Sequence, residues 1–182
     1  MSKLVVVTGV PCSGKSTFIK ELVKLTGNKY FYLNQDDIKQ AFWGDKSRLC
    51  NEYILNIRPK VLQATRNIIE RNIDAGNSVI LEATFWYLLK DPEWYTKLAH
   101  ILLDVSRIED VKFVRCIARE EIIKERMEIR GYKRDRDKLV SLEIWKEWLE
   151  KEPIYLKYPY GYEVNTDPID CMCSLMEYIN EQ

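Results

Sequence analysis

The run from Gly9 to Ser16 carries residue types that bind polyphosphates. It reads Gly-Val-Pro-Cys-Ser-Gly-Lys-Ser and fits the pattern G-x-x-x-x-G-K-[ST] without a gap. Its two glycines let the backbone curl so that amide groups face phosphate oxygens. Lys15 is expected to reach the β- and γ-phosphates of a nucleotide, and the Ser16 hydroxyl to ligate Mg²⁺. The predicted loop residues are Gly9, Pro11, Cys12, Ser13, Gly14, Lys15, Ser16 and Thr17.

Cys12 lies inside this loop and has two interpretations. As a small residue it simply fits the turn, which is the interpretation we favour. Alternatively, the following helix N-terminus would stabilise its thiolate and make it sensitive to oxidation. The chain has five cysteines, and an odd, scattered set of this kind does not indicate a disulfide framework.

The elements around the loop alternate between strands and helices. Apolar runs predict five strands and longer periodic stretches predict helices between them. We therefore expect an α/β fold with parallel βαβ units, namely a three-layer α/β/α sandwich with a parallel five-stranded sheet, typical of P-loop NTPases. The predicted strands are Leu4–Thr8, Tyr30–Leu33, Ser78–Leu81, Val111–Ile117 and Tyr162–Asn165. The predicted helices are Lys15–Leu25, Asp36–Phe42, Tyr53–Ala75 (with a break near Pro59), Pro92–Leu103, Arg119–Arg130, Leu139–Glu150 and Ile169–Ile179.

Length and composition indicate one soluble globular domain over residues 1–182. The chain is 46% hydrophobic and 31% charged. No apolar run reaches the roughly 18 residues that a bilayer crossing needs, so we expect no membrane contact and a cytoplasmic location. The formal net charge is zero. This argues against coating a long nucleic-acid backbone but does not exclude gripping one chain end.

Other motifs narrow the class of P-loop protein. None of the seven glycines has an aspartate three residues before it, as the switch of a GTPase requires. Asn165-Thr166-Asp167 also lacks the spacing of the guanine-reading N-K-x-D element. A single compact domain of this length fits a kinase of small molecules or of nucleic acids.

Four stretches resemble the P-loop kinase domain of phage-type polynucleotide kinases, in the wider group that includes zeta toxins and chloramphenicol phosphotransferases. They are Gly-Val-Pro-Cys-Ser-Gly-Lys-Ser-Thr (9–17), Tyr-Leu-Asn-Gln-Asp-Asp-Ile-Lys-Gln (32–40), Val-Ile-Leu-Glu-Ala-Thr-Phe (79–85) and the run 119–131, which ends Glu-Arg-Met-Glu-Ile-Arg-Gly. The resemblance covers roughly residues 3 to 150. The first stretch is common to many P-loop enzymes, whereas the second and fourth are more specific.

The resemblance implies catalytic roles for three residues. Lys15 belongs to the loop, and Asp36 matches the catalytic acid that accepts or orients the proton of the acceptor hydroxyl. A helix N-cap is the alternative role for Asp36. Arg130 matches a lid arginine that stabilises charge on the transferring phosphoryl group. Arg126, one turn earlier, is expected to stack on adenine or touch phosphate, within a helical lid at about residues 119–138. Solvated arginines on a helix face remain the alternative.

The resemblance assigns the residues that would bind the acceptor less specifically than it assigns the catalytic residues. Glu82 lies near the point where the family usually has an aspartate. We expect Glu82 to hold the water shell of Mg²⁺ or to contact the acceptor. Thr84 is expected either to assist the acceptor hydroxyl or to be a turn residue. Lys39 occupies the position of an arginine that grips the acceptor's 3′-phosphate, and lysine loses that two-pronged grip. Five aromatics flank the proposed acids and are expected either to pack in the core or to stack an acceptor base: Phe42, Trp43, Phe85, Trp86 and Tyr87.

These features predict a kinase that uses ATP and Mg²⁺. The expected acceptor is a hydroxyl of a nucleic acid or nucleotide, either a 5′-hydroxyl or a hydroxymethyl group on a base. A small-molecule kinase acting on a nucleoside, nucleoside monophosphate, sugar or antibiotic is the first alternative. A non-catalytic ATP-binding module is the second.

Overall fold

The structure is a computed structural model that describes residues 2–27, 29–44, 50–84, 101–102, 111–151, 161–167 and 172–180. The strands are β1 (Leu4–Thr8), β2 (Tyr30–Asn34), β3 (Ser78–Glu82), β4 (Val111–Ile117) and β5 (Tyr162–Asn165). The helices are α1 (Lys15–Leu25), α2 (Gln35–Trp43), α3 (Arg58–Asp74), α4 (Glu120–Arg130), α5 (Lys133–Arg136), α6 (Leu142–Lys151) and α7 (Met172–Asn180). A π-helical turn, Tyr53–Ile57, precedes α3.

The five strands form one sheet in the order β2-β3-β1-β4-β5. Every neighbouring pair is parallel. The strand β1 lies at the centre and all five of its residues are buried, which explains its uninterrupted apolar and β-branched sequence. The chain passes from β1 to β2 toward one edge of the sheet, and from β3 to β4 toward the other edge. The direction of the connections therefore reverses beside β1. In open parallel sheets, ligands bind at the carboxyl ends of strands at such a point.

Strand register places three strand ends side by side at this edge. Val7 of β1 and Asn34 of β2 both pair with Glu82 of β3. Because the chain leaves each parallel strand at the same edge, the loop after β1, the start of α2 and the Glu82 side chain are neighbours.

Two apolar clusters pack the helices onto opposite faces of the sheet. One face holds Ile69 and Ile73 of α3, with Ile38 of α2 against the same cluster. The other face holds Phe18 of α1 and Leu175 of α7. The fold is therefore the three-layer α/β/α sandwich with a parallel five-stranded sheet that the sequence predicted.

A third cluster joins the loop after β1 to the C-terminal half of the chain. Val10 of that loop is buried with Ile123 and Met127 of α4 and with Trp145 of α6. Cys12 packs against the same cluster. The helices that follow β4 are thus packed directly on the outer side of the loop.

Most predicted element bounds are confirmed to within one or two residues. The helix predicted over 53–75 has no break near Pro59: the π-helical turn Tyr53–Ile57 runs directly into α3, and the Arg58 amide donates to the Tyr53 carbonyl across the junction. The helix predicted from Leu139 begins instead at Leu142. The Ser141 hydroxyl accepts a hydrogen bond from the Ile144 amide and so caps the start of the helix at this point. The short helix α5 was not predicted. Most of the predicted helix Pro92–Leu103 lies outside the described residues.

None of the helices in the described ranges is both long enough and apolar enough to span a membrane.

The start of α2 generates a stability prediction. Asn34 is the N-cap, and its Oδ1 accepts a hydrogen bond from the Asp36 amide at 2.9 Å. Asn34→Ala should lower the free energy of unfolding by about 1 kcal/mol, because that amide loses its partner. Asn34→Ser should retain the wild-type value, since serine caps about as well as asparagine. Denaturant unfolding measures both.

The matched control is Asn67→Ala on the exposed face of α3, which should not destabilise the protein because alanine favours a helix interior. Equal losses at Asn34 and Asn67 would contradict the capping role.

Candidate active site

The loop from Gly9 to Gly14 depends on unusual backbone conformations. Gly9 has φ +146° and Gly14 has φ +84°, which side-chain-bearing residues rarely adopt. A Cβ on Gly9 would lie 2.5 Å from the Cys116 carbonyl oxygen, and one on Gly14 would lie 2.8 Å from the Thr166 hydroxyl. Gly14 also begins α1 without a side-chain cap, so the first-turn N–H groups remain available to an anion.

Cys12 adopts φ +63°, the one left-handed conformation of a residue other than glycine among the described residues. Burial raises the pKa of its thiol, although the charge of Arg130 opposes the rise. The raised pKa disfavours the thiolate. It agrees with the interpretation of Cys12 as a small residue that fits the turn.

The Lys15 ammonium lies over the loop, where it donates to the carbonyl oxygens of Gly9 at 3.0 Å and Val10 at 2.9 Å. Burial lowers its pKa, and the negative charges of Glu82 and Asp36 oppose this shift. The structure therefore brings the loop lysine and both predicted acids within electrostatic reach of one another.

Glu82 is the centre of the hydrogen bonding at this edge. Its side chain is buried, with 7% of the residue exposed. One carboxylate oxygen accepts a hydrogen bond from the Ser16 hydroxyl at 2.7 Å, and the other accepts one from the Tyr32 hydroxyl. A buried carboxylate needs such donors, because an unpaired charge away from water is strongly unfavourable.

The oxygen donors of Ser16 and Glu82 fit a magnesium ion. Hydroxyl and carboxylate oxygens are the ligands that Mg²⁺ prefers, and the ion usually completes its shell with water and substrate phosphates. No cluster of three or more His, Cys, Asp or Glu side chains with metal-binding spacing occurs in the part of the chain that the structure describes. Ser16 and Glu82 are therefore the residues that would hold the metal.

Asp36 lies in the first turn of α2, and 48% of its side chain is exposed. The Lys39 ammonium is 3.0 Å from its Oδ1, and only 14% of the Lys39 side chain is exposed. Lys39 thus faces the predicted catalytic acid rather than projecting into solvent. Thr84 follows Glu82 by two residues and is partly buried.

The two lid arginines have different partners. Arg126 donates to the Cys12 carbonyl at 3.3 Å and to the Thr166 hydroxyl and carbonyl at 3.1 and 2.9 Å. Arg130 pairs with the fully buried Asp135 at 2.6 Å and lies over the Tyr132 ring. Both arginines lie beside the loop, although their roles in binding and transfer stay predictions.

Thr166, at the end of β5, was not predicted as a site residue. Its hydroxyl lies 2.8 Å from the Ser13 carbonyl, 3.2 Å from the Ile117 carbonyl and 3.1 Å from Arg126. The Thr166 hydroxyl, next to β5, therefore contacts the loop, β4 and α4. Its position at the carboxyl end of a strand was the signal that could have revealed it.

Asp135 and Tyr32 were also missed. Asp135 stands inside a basic run, where an acid resembles an ordinary surface charge until its burial is known. Tyr32 shares the face of β2 that meets Glu82, which becomes visible only once the strand register is known. Trp86, predicted to bind the acceptor, lies outside the described residues together with Phe85 and Tyr87. Of the other aromatics considered, Phe42 is exposed, and Trp43 packs against Tyr53 at 5.9 Å.

The sheet order, the phosphate-loop geometry and the acids at the strand ends define a P-loop fold of the kinase-like type. The family model AAA_33, described as "AAA domain", matches residues 4–152. Because this match spans most of the chain, the protein belongs to that AAA domain family. A search of curated protein sequences finds no match.

Solved structures show the same fold at low sequence identity. A protein from Chloroflexus aurantiacus j-10-fl, provisionally assigned as a kinase, is 21% identical with TM-score 0.63, covering 98% of this chain and 93% of that one. A sugar kinase from Janibacter sp. HTCC2649 is 20% identical with TM-score 0.54, covering 91% and 84%. A chain of the Pnkp1/Rnl/Hen1 RNA repair complex is 18% identical with TM-score 0.56, covering 86% of this chain but 47% of that one.

The Thr166 contacts generate a prediction. Thr166→Val keeps the shape of the side chain but removes the hydroxyl, so the Ser13 carbonyl loses this donor and Arg126 keeps only its bonds to the Cys12 and Thr166 carbonyls. We expect the free energy of unfolding to fall by about 1–3 kcal/mol. The affinity for ATP should fall about fivefold, because binding must then order the loop. Denaturant unfolding and calorimetric titration measure the two effects.

Thr26→Val is the matched control. Its hydroxyl also bonds to backbone carbonyls, at 2.9 and 3.1 Å, but at the far end of α1. ATP affinity should be unchanged in this variant. An equal loss of affinity in both variants would show that Thr166 has no specific role at the loop.

Proposed function

We propose that the chain is an ATP-dependent phosphotransferase that moves the γ-phosphoryl group to a hydroxyl. The observation that supports this most is the convergence, at one sheet edge, of the phosphate loop, the Ser16–Glu82 pair and Asp36. A protein that only binds ATP needs a loop and a metal ligand. It has no need of a half-exposed carboxylate beside them, so Asp36 favours transfer over simple binding.

The loop and Lys15 bind the triphosphate in this proposal. Lys15 would exchange its two carbonyl contacts for phosphate oxygens, whose negative charge would oppose the lowering of its pKa by burial. Ser16 and Glu82 would hold Mg²⁺, which would neutralise negative charge on the phosphates of the nucleotide. Arg126 positions the outer arm of the loop through its contact with the Cys12 carbonyl.

Asp36 orients the acceptor hydroxyl and accepts its proton. Its side chain is 48% exposed, and the Lys39 ammonium lies 3.0 Å from its Oδ1, where it can hold the orientation of the carboxylate. Arg130 is proposed to stabilise charge on the transferring group. To do so, Arg130 must leave the buried Asp135. In this proposal residues 119–138 form a lid, and its closure replaces the Arg130–Asp135 ion pair with a contact between Arg130 and a phosphate.

A hydroxyl of a nucleic acid or nucleotide is the first candidate acceptor. The resemblance to polynucleotide kinases in the stretches 32–40 and 119–131 supports it, as does the fold shared with a chain of an RNA repair complex. A small-molecule acceptor is the second candidate. The inward pairing of Lys39 with Asp36 favours it, because a lysine engaged there is poorly placed to grip an acceptor phosphate.

Asp36→Asn tests the transfer step. The variant should bind ATP like the wild type but lose turnover by at least ~10²-fold, since the amide cannot accept the proton. Asp37→Asn, which changes the exposed neighbouring acid, should keep its turnover. Lys15→Ala should instead lose ATP binding and turnover together. Transfer that survives in Asp36→Asn would remove Asp36 from the mechanism.

The acceptor class is tested with labelled ATP over a panel of DNA and RNA with 5′-hydroxyls, modified-base DNA, nucleosides, nucleoside monophosphates and sugars. We expect label on a nucleic acid or nucleotide. With a polymer acceptor, activity should fall only gently as salt rises, since a neutral protein grips few phosphates. Label confined to sugars or other non-nucleotide molecules would establish the second candidate instead.

A further inference from the structure

Tyr32 has an unusual position for a strand tyrosine. It lies on the edge strand β2 with 39% of the residue exposed, yet its hydroxyl is directed to a buried carboxylate. Its strand partner is Ile80, two residues before Glu82, so both side chains lie on the α1 face of the sheet. The ring therefore spans from the exposed edge of the sheet to a buried acid, and its polar tip supplies that acid with a hydrogen-bond donor.

The Tyr32 hydroxyl is one of two hydrogen-bond donors to the Glu82 carboxylate. It donates to the Glu82 oxygen that Ser16 does not use. The two donors thus hold the two carboxylate oxygens separately.

A glutamate side chain rotates about three bonds, so its carboxylate needs an outer partner to present one particular oxygen. Groups that fix the orientation of a metal ligand typically change metal affinity by about 10- to 100-fold when removed. In the described residues, the hydrogen bonds to the Glu82 carboxylate come from Ser16 and Tyr32. Because Ser16 is itself a candidate metal ligand, Tyr32 is the partner that remains to hold the carboxylate when the metal arrives.

We propose that Tyr32 is a positioning residue that fixes the Glu82 carboxylate toward Ser16 and thereby sets the affinity of the site for the metal of a metal–nucleotide complex. The inference rests on the proposed function, because it assigns the metal to Ser16 and Glu82. Tyr32 acts through Glu82 and need not touch the nucleotide.

Metal binding is measured directly with Mn²⁺ as the probe, by electron paramagnetic resonance of free Mn²⁺ in the presence of protein and a non-hydrolysable ATP analogue. Tyr32→Phe should raise the Kd for Mn²⁺ about 10-fold. Its affinity for the analogue in EDTA should equal that of the wild type, because the loop is unchanged. Unchanged Mn²⁺ affinity in Tyr32→Phe would overturn the proposal.

Tyr30→Phe is the matched control, since Tyr30 lies two residues earlier on the same face of β2 and packs in the apolar cluster. It should bind Mn²⁺ like the wild type. In the Glu82→Gln background, where the oriented carboxylate is gone, adding Tyr32→Phe should change the Kd by less than about twofold. A full 10-fold effect in that background would show that Tyr32 does not act through Glu82.

Steady-state kinetics give a second readout. Tyr32→Phe should need about 10-fold more Mg²⁺ for half-maximal rate, with kcat restored at saturating Mg²⁺. A fall in kcat that Mg²⁺ does not restore would contradict a role limited to the metal. If the wild type binds Mn²⁺ with its nucleotide, and more tightly than Tyr32→Phe, but phosphorylates no acceptor, the positioning role stands and the proposed function fails.

Discussion

The buried carboxylate of Glu82 constrains the arrangement of the whole candidate site. A carboxylate on a residue with 7% exposure is unfavourable unless hydrogen-bond donors surround it. The strands on either side of β3 supply two donors, because the register of β3 between β1 and β2 brings Ser16 from one neighbour and Tyr32 from the other. The same register places the start of α2 at this edge, so the proposed metal and acceptor groups depend on one strand alignment.

The phosphate loop is held from its outer side as well. Val10 and Cys12 pack with α4 and α6, while Thr166 and Arg126 hold the Ser13 and Cys12 carbonyls. A strained loop persists only when its surroundings determine its shape, and Cys12 at φ +63° is evidence of such support. Because α4 carries both arginines and contacts the loop, a lid movement under the proposed function would also act on the loop.

Sequence reasoning recovered the layers of the fold because the signals were local. Five apolar runs alternated with helical periodicity, and the loop motif stood between a strand and a helix. Glu82 and Asp36 could also be predicted as site residues, since each lies at the end of a strand. The sequence did not reveal Tyr32, Thr166 and Asp135, because their roles arise from contacts 50, 153 and 5 residues away along the chain. Even the short separation of Arg130 and Asp135 carried no signal without knowledge that the aspartate is fully buried.

The pairing of Lys39 with Asp36 bears on how the acceptor is recognised. A lysine that is 14% exposed and 3.0 Å from the acid serves first to orient that acid and to offset its charge beside Glu82. To bind an acceptor phosphate it would have to leave Asp36 just when the acid must hold the hydroxyl. An arginine presents two parallel N–H donors to a phosphate, whereas a lysine ammonium has three donors but no such paired geometry. Under the proposed function, Lys39 would therefore hold a phosphate beside the acceptor hydroxyl less firmly than an arginine would, which agrees with the small-molecule candidate.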